Sequence, residues 1–166
     1  MSHRELIQAL KLYPAILKDF VAAIPLDKLH HRLGPGFWTV YEHLEHLVLT
    51  QQVIQQRLET IRDHEKPQIV PFNPDEHHRD ISVSPGGGSQ PASAEELVAD
   101  YGRWRERQLN VIEKASEPLW RRSAQHPEYE RYGFEILVRH VLLHDGFHLS
   151  RMEDLAFMKQ ELLQPL

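Results

Sequence analysis

The sequence predicts an all-α fold in which a single domain forms a four-helix bundle. Three observations carry that expectation. Apolar residues recur at helical intervals through four long segments. Stretches rich in Pro, Gly and polar residues separate those segments, and neither an internal repeat nor a second-domain linker stands out. At 166 residues the chain has the usual size of one domain. A domain of about 150 residues buries roughly 68–70% of the surface of its unfolded chain, enough for a core without a disulfide or a metal. Four amphipathic helices can then hide their stripes against one another.

The first helix is expected from about Ser2 to Ile24, with Leu6, Leu10, Leu12, Ile16, Phe20 and Val21 as its apolar positions. Pro14 lies inside that pattern and either kinks or divides the helix, because its ring removes a backbone donor and crowds the preceding turn. Gly34-Pro35-Gly36 punctuates the chain before Trp38 and Thr39. A second helix is expected from there to about His64, burying Leu44, Leu47, Val48, Leu58 and Ile61. Pro67, Pro71 and Pro74 end regular structure, and a long loop at about 66–92 runs through Gly86-Gly87-Gly88. Its length suits a lid or a crossover.

Ser93 and Glu96 form a capping-box pattern, in which hydroxyl and carboxylate each accept a hydrogen bond from the other's backbone N–H. A third helix is therefore expected over about Ala94–Ala115. Pro118 and Pro127 bracket an irregular connection. The fourth helix is expected from near Arg131 to about Leu163, with Phe134, Leu137, Val141, Phe147, Met152, Leu155 and Leu162 on its apolar faces. Gly133 and Gly146 weaken its continuity.

Composition removes several classes of function. Lys plus Arg number 19 against 24 Asp plus Glu, a formal charge of −5, which disfavours a general nucleic-acid surface. There is no Cys, hence no protein thiolate, and a transition-metal site has to use His, carboxylate and water. The start of the chain lacks the layout of a secretory signal, and no apolar run approaches the 18 or so residues of a membrane span. A soluble, cytoplasmic protein is the expectation.

The chemistry concentrates in histidine. His43 and His46 are three residues apart on the second helix, and His140, His144 and His148 follow at four-residue intervals on the fourth. Residues three or four apart share a helix face. Across three successive positions the face drifts, so a straight helix does not turn His140, His144 and His148 all to one ion. His144 and His148 with one histidine of the second helix make a three-imidazole set for zinc, nickel or ferrous iron, and spacing does not choose between His43 and His46. Three protein ligands leave a position for water or substrate. With 12 histidines in the chain, hydrogen-bonded or solvated rings are the competing reading. His144-Asp145-Gly146-Phe147-His148 is not the HExxH motif, because Asp stands where Glu is required.

Two segments, Trp38-Thr39-Val40-Tyr41-Glu42-His43-Leu44-Glu45-His46-Leu47 and His144-Asp145-Gly146-Phe147-His148-Leu149-Ser150-Arg151-Met152, resemble the DinB-like superfamily of four-helix proteins. The resemblance covers most of the chain. It implies a divalent metal held by a histidine triad and matches His46, His144 and His148 to the ligand positions, selecting His46 over His43. Many members carry Gly-Gln after the last ligand, where this chain has Leu149-Ser150-Arg151. Members include hydrolases and thiol-dependent transferases, so the resemblance implies either a hydrolase or a transferase using a low-molecular-weight thiol. It also implies homodimerisation.

Around the triad, Glu42 and Glu45 can orient an imidazole or move a proton, although solvated helix positions suit Glu better. Asp145 carries the same two readings. His43 and His140 stand one turn from the triad and can shape the pocket. Trp38 and Tyr41 can wall it or pack in the core. Arg103, Trp104 and Arg105 make no specific basic-aromatic module and read as a solvated face, and Trp120, Tyr129, Tyr132 and Phe134 specify no base-stacking platform. His77-His78-Arg79-Asp80 reads as exposed loop polarity. The competing function class is a non-catalytic metal or small-ligand binding protein with a structural metal. No specific nucleic acid and no membrane are expected as partners.

Overall fold

A computed structural model describes residues 1–72 and 92–165. Helix α1 spans His3–Ala23, the single turn α2 Leu26–Leu29, α3 Val40–Asp63, α4 Ala94–Glu113, the single turn α5 Glu117–Trp120 and α6 Phe134–Phe157. Between α5 and α6 lies an antiparallel hairpin of β1, Ser123–His126, and β2, Tyr129–Gly133. No helix among the described residues is long and apolar enough to cross a membrane.

Three of the long helices begin with one device. Ser2 and Glu5, Thr39 and Glu42, and Ser93 and Glu96 each form a complete capping box ahead of α1, α3 and α4. Each box satisfies two backbone N–H groups that a helix start would otherwise leave open. Helix α1 continues through Pro14 without a break, so that residue does not divide it.

Helix α3 packs on α4 and α6, and α1 packs on the same two, which orders the bundle α1, α4, α3, α6 around its axis. The core has two apolar halves. One gathers Leu6, Leu10, Leu58, Ile61, Phe134 and Leu137, and the other Leu17, Leu44, Leu47, Tyr101 and Met152. Gln51, Arg105, Gln108 and Asp145 are fully buried and occupy the intervening level of α3, α4 and α6.

The fourth helix departs from expectation at both ends. Arg131 belongs to β2, and the segment read as an irregular connection between Pro118 and Pro127 holds most of α5 and the first strand of the hairpin, β1, instead. Gly133 marks the junction: a Cβ there would stand 2.4 Å from the Arg122 carbonyl oxygen, and the next amide, Phe134 N–H, donates to that oxygen at 3.0 Å. Only a residue without a side chain fits so close a backbone crossing. At the other end Met158 turns extended, and Leu162 sits in a 3-10 turn, largely exposed. Phe147, Leu12 and Ile16 also face outward, while Leu17 takes the buried position on α1.

After α3 the chain bends through residues 64–66, and Lys66 takes a φ of 48°. Residues 67–69 then lie alongside β1: Ile69 N–H donates to the Gln125 carbonyl and Gln125 N–H to the Pro67 carbonyl, each at 2.8 Å. That pairing carries the chain towards Phe72. Pro74, the His77–Asp80 cluster and the Gly86–Gly88 run, with most of the loop expected at 66–92, lie outside the described residues.

Candidate metal centre

The site is built where α3 faces α6. A turn at Gly36, whose φ of +81° suits glycine, delivers Trp38 to the start of α3. Arg32 steadies the entry by donating to the Phe37 carbonyl and pairing with Glu42. Glu42 in turn accepts from the Thr39 amide at 2.7 Å. Burial pushes the Glu42 carboxyl up, but the Thr39 amide and the Arg32 charge outweigh it and hold the group below the ordinary glutamate value. The carboxylate is thus committed to capping α3 rather than to the histidines.

One turn further on, His46 meets His144 and His148. Each offers one nitrogen, and the three nitrogens lie within 4.8 Å of one another. His46 Nε2 and His144 Nε2 are 3.2 Å apart. Nitrogens bound at 2.0–2.1 Å to one tetrahedral ion stand about 3.3 Å apart, so this pair already has the spacing of two ligands. His46 and His148 are buried, and the His144 side chain keeps 17% exposure. Burial, then the neighbouring His144, His46 and His43 rings, push the pKa of His148 down to about 2, so that ring is neutral and its lone pair is available. Burial and donor chemistry therefore both fit a divalent transition metal.

His43 does not join the three. It is buried one turn before His46, with its Nδ1 2.8 Å from His148 Nδ1. His140 stands on the outer side, its ring 5.8 Å from that of His144 and edge-on to Tyr129. Burial, then the charge of His144, lower its pKa. Trp38 lines the site, its ring centroid 5.1 Å from those of His43 and His46 and stacked at 12° to His148. Phe72 approaches His46 at 6.1 Å. Tyr41 does not wall the site: its hydroxyl donates to the Ala92 carbonyl at 2.6 Å and its ring lies against His30. Glu45 is partly buried beside Tyr41, and burial raises its pKa.

Behind the histidines is a network that reading the sequence missed. Asp145 and Arg105, both read there as candidates for a solvated helix face, are completely buried and paired at 2.6 Å. Tyr101 donates its hydroxyl to the same Asp145 oxygen at 2.7 Å. Arg105 also donates to Gln51 Oε1 at 2.9 Å, as does Gln108. The other Asp145 oxygen lies 3.9 Å from His144 Nδ1, too far for a hydrogen bond but close enough for its charge to act on the ring. Burial pushes the Asp145 carboxyl up, yet Arg105, the His144 ring and Tyr101 together hold it below the usual aspartate value. The spacing of Tyr101 and Arg105, four apart on one helix, was the available signal.

The family model of the DinB superfamily matches residues 9–152. The chain belongs to the DinB superfamily. Among solved structures it is similar to YfiT from Bacillus subtilis, with a TM-score of 0.78 and 21% identity over 93% of this chain and 87% of that one. YfiT is described as "a probable metal-dependent hydrolase with an unusual four-helix bundle topology". At that identity the likeness shows the fold. No curated protein matches the chain.

Proposed function

We propose that this DinB-superfamily protein is a metal-dependent hydrolase in which His46, His144 and His148 hold one divalent zinc, nickel or ferrous ion. The observation that carries the reading is the convergence of three imidazole nitrogens within 4.8 Å, two of them at ligand spacing. The description of YfiT as "a probable metal-dependent hydrolase" supports the same direction. Such an ion, when bound, supplies Lewis-acid polarisation of a carbonyl and acidification of water. The chain's own residues do the rest. Helices α3 and α6 carry the imidazoles, the Trp38 and Phe72 rings lie beside His46, and the part-exposed His144 edge marks the side a substrate approaches. Three protein ligands leave coordination positions open, as a catalytic site requires.

The test is metal content and turnover measured together. Wild type and the H46A, H144A and H148A variants are loaded with each of the three ions, quantified by mass spectrometry, and assayed on ester, amide and phosphoester panels. Each substitution is expected to remove the ion and the turnover while the fold, followed by circular dichroism, persists. Turnover that survives complete metal removal overturns the proposal. Transfer of a low-molecular-weight thiol without hydrolysis makes the protein a transferase instead, and bound metal with neither activity makes the ion structural.

A further inference from the structure

We propose that His43 is a positioning residue for this centre: it accepts a hydrogen bond from His148 Nδ1–H and so fixes the tautomer that leaves His148 Nε2 for the ion. The inference rests on the metal-centre reading above and adds a residue outside the three. Its ground is the 2.8 Å separation of His43 Nδ1 and His148 Nδ1 between two buried rings. Two nitrogens so placed share one proton, so one ring donates and the other accepts. A neutral imidazole that ligates through Nε2 carries its proton on Nδ1, and the donor is then His148.

The distance also separates this pair from co-ligation. At 2.8 Å it is a hydrogen-bond length, shorter than the roughly 3.3 Å between two nitrogens on one tetrahedral ion. His43 and His46 lie three residues apart on α3, so a single helix face presents both a ligand and the group that aims a ligand on the opposite helix. Trp38 holds the planes of the rings, lying 5.1 Å from His43 and stacked on His148. A leucine at position 43 would fill comparable space yet leave the His148 donor without this acceptor. Asparagine would restore an acceptor oxygen near the place of Nδ1.

The experiment titrates Zn²⁺ and Co²⁺ into wild type, H43L, H43N and H148A against a competing chelator, with the Co²⁺ absorption spectrum as a second readout. H43L is expected to lose about 10–100-fold in affinity, the usual effect of removing a group that orients a ligand, and H43N to recover most of it. In Zn²⁺-loaded wild type, long-range ¹H–¹⁵N spectra of the histidine rings are expected to show His148 protonated at Nδ1. Wild-type affinity in H43L with affinity lost in H148A overturns the role of His43 and leaves the metal centre standing. Wild-type affinity in H148A overturns the centre itself, and the inference with it. Should H43L fail to fold, the ring spectra decide, and a His148 protonated at Nε2 overturns the proposal.

Discussion

His144 and Asp145 are adjacent on α6, yet they belong to regions built on opposite principles. His144 turns to α3 and joins a cluster of like groups, imidazoles whose ring nitrogens converge to a spacing that suits a cation. Asp145 turns to the bundle centre and joins a set of unlike groups, a carboxylate, a guanidinium, a phenol and two amides that hydrogen-bond to one another through Arg105 Nη2 and Gln108 Nε2, while Arg105 Nε and Nη1 stay buried outside those bonds. The first region is partly open to solvent through His144. The second is closed to solvent. A buried charge pair is a poor source of net stability but a strong constraint on register, because removing one member strands the other. Here the pair lies directly behind His144, between the two apolar halves of the core. We read it as the layer that locks α4 and α6 at the height that brings His144 and His148 opposite His46.

The largest expected effect breaks the closed region. Asp145→Ala leaves Arg105 charged and completely buried, and should cost about 3–5 kcal/mol in urea denaturation of the metal-free protein. Replacing both members, as R105M with D145L, removes the stranded charge and should cost less than D145A alone. If the double variant is as unstable as the single, packing rather than charge pairing holds the centre together.

Acid should separate the two regions along the pH axis. His148 has a folded pKa of about 2 against about 6.5 when unfolded. The unfolded chain therefore takes up a proton that the folded chain refuses. Stability of the metal-free protein should be full above pH 6.5 and decline as pH falls below it, by up to about 1.4 kcal/mol per pH unit for one such group. His140 and His126, also depressed by burial, act in the same direction. Asp145 is held below its unfolded value of about 3.9, so its contribution is intact above that pH and is lost only as pH falls further. Chemical denaturation from pH 8 to pH 3 should show a first decline that H148L reduces and a second, below about pH 4, that the R105M/D145L pair reduces. A single decline insensitive to H148L would mean that the histidine region is not held neutral.

The elements and the site were legible in the sequence to different degrees, for physical reasons. Helices α1, α3 and α4 fall within two residues of expectation because helical periodicity and capping side chains are local signals. The hairpin was not legible. Its strands span four and five residues with a register irregularity between Ala124 and His126, and Pro127 at its turn reads as a breaker. Gly133, read as a weak point within a helix, is the residue that lets β2 pass into α6 beside Arg122. Histidine spacing indicated which helix faces to bring together, but not which of His43 and His46 lies beside His144. Arg105 and Asp145 are 40 positions apart, so neither carries a local sign of its partner, and a lone charged residue on a helix is ordinarily solvated.

The smallest expected effect probes the seam between the regions. A Cβ added at Gly146 would stand 3.0 Å from the Tyr13 hydroxyl, the far end of a side chain on α1. Alanine improves helix propensity over glycine by about 1 kcal/mol. Against this gain stands the displacement of a hydroxyl near the closed network: burial, and then the charge of Asp145, raise the Tyr13 pKa. If the tyrosine tip can give by a few tenths of an ångström, G146A should be stabilising by up to about 1 kcal/mol, with metal affinity unchanged. If Tyr13 is instead wedged against the Asp145 layer, the gain should vanish, and any loss should shrink when G146A is combined with Y13F. A change in Zn²⁺ affinity would carry a third meaning. It would show that strain entering α6 at position 146 reaches both His144 and His148, so that the closed layer and the open centre move as one.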